Sequence, residues 1–231
     1  VVPNTFLKPE YAYNLDLGID FRSLNNRNYI SLRGFSTIIS RHIGRDEYIV
    51  FSDITTPDLS TVIYNGEEVT TISNKNLGNR FIHGFSVDGF SKIINNLKFD
   101  YSITYTKGDD NDTYGPLPSI SPLFGSFALS YSKRGVNLKA IYKFSEAKNP
   151  GEYSFGGEDG LDETPFIINN EGLLSYLGTP KWSDLSIFGS KNISSNVTLR
   201  LGLTNVFDSH YRTFASGISA PGRSFQLGLN L

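Results

Sequence analysis

The stretch NVTLRLGLTNVFDSHYRTFASGISAPGRSFQLGLNL, residues 196–231, decides how the rest of the chain is read. Its last eight residues alternate strictly. Phe225, Leu227, Leu229 and Leu231 fall on one face, and Ser224, Gln226, Gly228 and Asn230 on the other. A strand has a side-chain period of two, so such a segment has one apolar and one polar face. The segment before it repeats the pattern, with Val197, Leu199, Leu201 and Leu203 against Thr198, Arg200, Gly202 and Thr204. A soluble sheet can do the same. What sets this chain apart is that the pattern recurs along its whole length.

Working outward, residues 11–21 give the cleanest alternation. Tyr11, Tyr13, Leu15, Leu17, Ile19 and Phe21 oppose Ala12, Asn14, Asp16, Gly18 and Asp20. Two carboxylates on a buried dry face would be costly, whereas in a wet lumen they cost little. Further strands are expected near 29–43, 80–93, 97–106, 123–132, 136–145 and 182–190, each alternating in the same way. With the two C-terminal strands this makes nine. A short extra strand is expected at 48–51. Asp16, Asp20, Lys98, Asp100, Lys139 and Lys143 read as lumen-facing charges, and Tyr11, Tyr13, Tyr105, Tyr131 and Phe21 as girdle aromatics at the membrane interfaces.

Composition narrows the class. The chain has 231 residues, 13% aromatics, no Cys and a formal charge of −2. That charge argues against nucleic acid as a partner. No apolar run is long enough for a transmembrane helix, which leaves open a barrel, whose strands are invisible to hydropathy. The chain starts at Val1 without Met and is expected to lack an upstream portion.

The connections carry the topology. Short links at 23–28, 94–96, 133–135 and 191–196 alternate with long ones at 44–79, 107–121, 146–180 and 208–222. Outer-membrane barrels show this rhythm, with short periplasmic turns and long extracellular loops. Bacterial single-chain barrels close with an even strand number, so nine strands are expected to be part of a larger wall. The fold expectation is therefore all-β: an antiparallel transmembrane β-barrel, of which 1–231 supplies about nine C-terminal strands.

Three landmarks resemble one family. Phe6-Leu7-Lys8-Pro9-Glu10 before a strand is similar to the LKPE segment of TonB-dependent outer-membrane receptors. Leu203-Thr204-Asn205-Val206-Phe207-Asp208, then Tyr211-Arg212, resembles their N-L-F-D-x-x-Y segment, and Pro221-Gly222-Arg223-Ser224-Phe225 their P-G-R-x-F. The run 214–223 looks most like receptors of the Bacteroidetes type. One departure is the end, an aromatic in these receptors and Leu231 here.

The resemblance implies a plugged barrel of about 22 strands in the bacterial outer membrane. It implies active import of a scarce ligand such as heme, a siderophore or cobalamin, with heme slightly favoured. The implied partners are the N-terminal barrel and plug portion of the same receptor, the TonB complex through that plug, and outer-membrane lipid with lipopolysaccharide. The parent receptor is expected to be cut in an extracellular loop before Val1.

Alternatives from other classes are a passive porin-like channel, a structural barrel subunit of a surface complex, and a soluble β-sandwich.

His42, His83 and His210 are the candidate ligand-binding residues, because heme receptors use histidine as an axial ligand. The simpler reading is a surface or lumen histidine without a ligand. Asp109-Asp110-Asn111-Asp112 and the acidic 146–180 loop carry oxygen donors suited to Ca²⁺, but match no EF-hand spacing. A solvated acidic loop is the simpler reading there. No catalytic motif, metal-ligand cluster or phosphate loop is found, so neither enzyme activity nor a resident cofactor is expected.

Overall fold

The computed structural model describes residues 1–50, 60–111, 115–169 and 172–230, with the side chains of Asp110 and Asn111 left aside. In chain order the first strands are β1 (Tyr11–Arg22), β2 (Asn28–Ser40), β3 (Ile43–Glu47), β4 (Thr61–Tyr64), β5 (Glu67–Thr70) and β6 (Ile72–Asn76). Next come β7 (Arg80–Ile94), β8 (Leu97–Gly108), β9 (Asp110–Asn111), β10 (Gly115–Pro116), β11 (Phe124–Lys133) and β12 (Val136–Ser145). The last are β13 (Phe166–Ile168), β14 (Leu174–Tyr176), β15 (Trp182–Asn192), β16 (Thr198–Thr204) and β17 (Ser224–Asn230). Nine of them form one antiparallel sheet in the order β1-β2-β7-β8-β11-β12-β15-β16-β17, each strand beside its sequence neighbour in the wall. The other eight make small hairpins within the long connections.

All nine expected wall strands are present. The strand expected at 48–51 is not: Tyr48 and Ile49 are irregular, and the strand lies just before them, at β3, paired with β6. Phe51, Asp112, Glu171 and Leu231, which belong to expectations above, lie outside the described residues.

The register sorts the wall into two faces. Direct cross-strand partners share a face, so Ile19 lies with Leu32, Val87, Ile103 and Gly125, and Asp20 with Ser31, Asp88 and Ser102. The apolar set is open to its surroundings: Leu17 and Ile19 are each 69% exposed, and Leu227 is 69% exposed. The polar set lines a groove of about 770 Å³ that includes Asn137, Lys139, Ser190, Arg200 and Gln226. The polar face is therefore the concave one, and the apolar face points out.

Among the described residues the only buried apolar side chains are Leu77, Leu117 and Tyr153, all in the long connections. Open apolar surface on this scale marks a face that meets hydrocarbon or another protein rather than water, and on a barrel wall that face is the lipid-facing one. Outer-face aromatics pack on one another, with Phe127 centred 5.9 Å from Phe99 and 5.7 Å from Phe144.

The tight links follow from local chemistry. Between β11 and β12, Arg134 (φ 50°) and Gly135 (φ 75°) both take left-handed conformations, the geometry a two-residue hairpin turn needs to match strand twist. Between β1 and β2, the Ser23 hydroxyl accepts from the amides of Arg27 and Asn28. No helix among the described residues is long and apolar enough to cross a membrane.

Candidate ligand-binding site

The long connections all lie at one end of the wall and are braced to one another. The most buried brace is the pair of Lys148 and Asp159, 3% and 2% exposed at the side chain and 3.2 Å apart. The Lys148 ammonium also donates to the Ile120 carbonyl at 2.6 Å and lies 4.0 Å from the centroid of the Phe214 ring. The Ser119 amide donates to the other Asp159 oxygen at 2.7 Å. One ammonium thus joins the connection after β8, the connection after β12 and the connection after β16. Burial pushes the Lys148 pKa below the ordinary lysine value, and the Asp159 charge opposes that shift.

Other braces complete the set. Arg45 reaches Glu158 at 3.3 Å and donates to the Gly156 carbonyl, tying the β2–β7 connection to the β12–β15 connection. Arg80, 1% exposed, donates to the Asp109 carboxylate at 2.9 Å and to the Asp109 and Gly115 carbonyls. Arg212 donates to the Glu163 carbonyl at 3.0 Å. Glu158, Asp159 and Glu163 of the acidic loop are engaged by basic side chains in this way, and no group of three or more His, Cys, Asp or Glu suited to a metal is found among the described residues.

Beneath these loops, on the concave face, lies a cavity of about 390 Å³. Phe124, Trp182 and Phe214 supply aromatic surface, and Ser102, Ser126 and Lys143 supply polar groups. Lys143 makes no ion pair or hydrogen bond among the described residues. Phe214 belongs to both structures, as part of the cavity lining and as the ring against Lys148. Trp182 is held by stacking on Tyr211, centroid to centroid 4.3 Å and 15° from parallel. Burial, then the nearby Asp184 carboxylate, raises the Tyr211 phenol above its ordinary pKa.

The candidate histidines do not converge. His42 Nδ1 sits 3.0 Å from Glu10, whose carboxylate also accepts from the Ile43 amide at 2.6 Å. His83 lies on the outward face, opposite Ser36 and Lys107. His210 is exposed in the last connection, beside Tyr211. None lines the cavity with Lys143. Reading by residue type found the histidines but missed Lys148, Phe124, Trp182 and Phe214. The only tryptophan of the chain was the available signal for the last group.

The sequence landmarks act as clasps. Glu10 of the LKPE segment pins Ile43, while Asn76 brackets Lys8 through both its amide and its carbonyl. Asn205, 3% exposed, donates to the Ser209 and Pro221 carbonyls and accepts from the Ser209 amide. Asp208 accepts from the Arg223 amide at 2.8 Å. The N-V-F-D and P-G-R segments therefore hold each other across the last loop.

An antiparallel wall with a polar concave face, an apolar outer face and long loops at one end defines a transmembrane β-barrel. The family model of the TonB dependent receptor-like β-barrel matches residues 1–206, and the chain belongs to that family. Solved structures agree on the fold. A copper transporter, OprC, is 18% identical with a TM-score of 0.67, over 97% of this chain and 30% of that one. The siderophore receptor PirA of Acinetobacter baumannii is 19% identical with a TM-score of 0.65, over 96% and 32%. A mutant ferric enterobactin receptor of Pseudomonas aeruginosa is 18% identical with a TM-score of 0.64, over 96% and 31%. The chain thus spans about a third of the length of these structures. Among curated protein sequences none matches.

Proposed function

We propose that this chain is part of the wall and outer rim of an outer-membrane receptor that imports a metal chelate by TonB-coupled active transport. The observation that carries the reading is the cavity under the braced loops, where Phe124, Trp182 and Phe214 share a lining with Lys143, which makes no ion pair among the described residues. Stacking surface beside a cation suits a planar, anionic chelate, a description that covers aromatic siderophores and heme alike. The structural neighbours include a copper transporter and siderophore receptors, which supports metal import as the class of activity. The remaining barrel strands and plug of the same receptor complete the lumen in this reading, and TonB acts through that plug.

The test is uptake of iron presented as a catecholate chelate or as heme, by cells carrying the whole receptor with and without TonB. Uptake is expected only with TonB, and Lys143→Glu is expected to weaken chelate binding about fivefold to tenfold at low salt. Uptake that persists without TonB would make the protein a passive channel instead, a reading the polar groove also accommodates.

A further inference from the structure

The outward face of the wall holds a charge pattern that transport does not use. Through all nine wall strands the described outward positions carry no carboxylate, whereas the concave face carries five, among them Asp16, Asp88 and Asp184. The outward cations are confined to the two margins. Lys133 and Lys191 lie at the end with the short links. His83 and Lys107 lie at the end with the long loops, directly opposite each other on β7 and β8, with Ser36 of β2 completing the row.

The height of that row is fixed by geometry. From Leu97 to Lys107 the outward residues of β8 are Phe99, Tyr101, Ile103 and Tyr105, without a polar break other than phenol groups. Ten residues at about 3.4 Å each, tilted by about 40°, climb roughly 26 Å. The apolar band of such barrels is about 25 Å tall. Lys107 and His83 therefore emerge where hydrocarbon gives way to headgroups. One step inward, Phe85 and Tyr105 pack at 5.6 Å and offer an apolar floor to an acyl chain. All three polar side chains are exposed, and neither His83 nor Lys107 has a partner among the described residues.

We infer that Ser36, His83 and Lys107 form a binding site for the phosphate of a lipid headgroup in the outer leaflet. The ammonium supplies charge, while the imidazole and hydroxyl supply donors to phosphate oxygens. The absence of carboxylates on this face removes the repulsion that would otherwise exclude an anionic lipid. The inference rests on the outer-membrane reading above for the identity of the leaflet, but not on TonB coupling or on the chelate.

The test uses the whole receptor in detergent, titrated with bisphosphorylated lipid A, with its dephosphorylated form, and with inorganic phosphate. Native mass spectrometry reads bound lipid. Wild type is expected to prefer the phosphorylated lipid, and inorganic phosphate at the same concentration is expected not to displace it. Lys107→Gln is expected to weaken that lipid about fivefold, near the contribution of one basic residue at an anionic surface. His83→Leu is expected to weaken it further, while Lys191→Gln, at the opposite margin, leaves it unchanged. Equal binding of both lipid forms overturns the inference, as does equal binding by wild type and Lys107→Gln, or a loss at Lys191 instead. A receptor that binds the lipid through Lys107 yet takes up no chelate leaves this inference standing and refutes the transport reading.

Discussion

Replacing Lys148 by Met tests whether the outer loops are held as one body. The change keeps the aliphatic stem and removes the ammonium. Asp159 is then left 2% exposed at the side chain, with the Ser119 amide at 2.7 Å as its remaining donor. Removing one member of a buried ion pair costs about 3–5 kcal/mol, because the surviving charge stays buried without compensation. The surviving Ser119 bond argues for the low end. The Ile120 carbonyl also loses its donor, and Phe214 loses the cation at its face. At about 1.36 kcal/mol per decade, a loss of 3 kcal/mol raises the local opening equilibrium roughly 150-fold. Hydrogen exchange of the whole receptor in detergent, followed by mass spectrometry on peptides from 146–164, reads that opening directly. Peptides from the wall strands β8 and β12 should be unchanged. Adding Asp159→Asn should recover about 1–2 kcal/mol, since the pair is then neutral and the Ser119 bond can persist. Chelate affinity should fall with loop protection, because Phe214 lines both the knot and the cavity. Protection in Lys148→Met within threefold of wild type would refute the idea that this pair holds the loops.

Two further outcomes follow from the same geometry. Leu201→Arg, on the outward face, should destabilise the barrel in lipid vesicles by about 2–4 kcal/mol in denaturant titrations, while Thr198→Arg, on the concave face, should be nearly neutral; equal effects would contradict the assignment of faces. Asn205→Ala removes three hydrogen bonds and puts alanine at φ 49°, so the clasp on the last loop should weaken by about 2–3 kcal/mol, read as faster proteolysis between 209 and 221.

The wall was legible because its information is local. A period of two is written into every ten residues, and the turn at Arg134-Gly135 announces itself by its glycine. The outward placement of His83 was legible too, since it shares parity with Phe85 and Val87. Singling it out by residue type alone ignored that alternation. The loop braces were not legible. Lys148 meets Phe214 across 66 positions and Arg45 meets Gly156 across 111, and nothing periodic links such residues. The family landmarks sat between these cases. Glu10, Asn205 and Asp208 stood out as motif residues, but their work as clasps depends on Ile43, Pro221 and Arg223, which only the folded chain brings near.

The pairing of charges gives the concave face a direction. On β1, β2, β7 and β8 the concave face carries Asp16, Asp20, Asp88 and Asp100 with Arg22, Arg33, Arg80, Lys92 and Lys98, and several neutralise each other, as Arg33 does with Asp20 and Lys98 with Asp100. On β11, β12, β15, β16 and β17 the concave face carries Lys139, Lys143 and Arg200 against Asp184 alone. Asp184 lies directly across from Lys143 and accepts from the Ser186 hydroxyl, so it offsets one of the three charges and leaves a net excess of two. Above them the loop carboxylates Glu158, Asp159 and Glu163 are held by Arg45, Lys148 and Arg212. Free, those three carboxylates would repel an anion at the mouth; paired, they oppose the concave cations less. Fields from one wall of a low-dielectric cleft steer oppositely charged ligands and weaken with salt. Under the proposed transport reading the loop braces would do more than stiffen the rim: by occupying Glu158, Asp159 and Glu163 they would let the cations of this half of the wall draw an anionic chelate from the cavity at Lys143 toward Lys139 and Arg200.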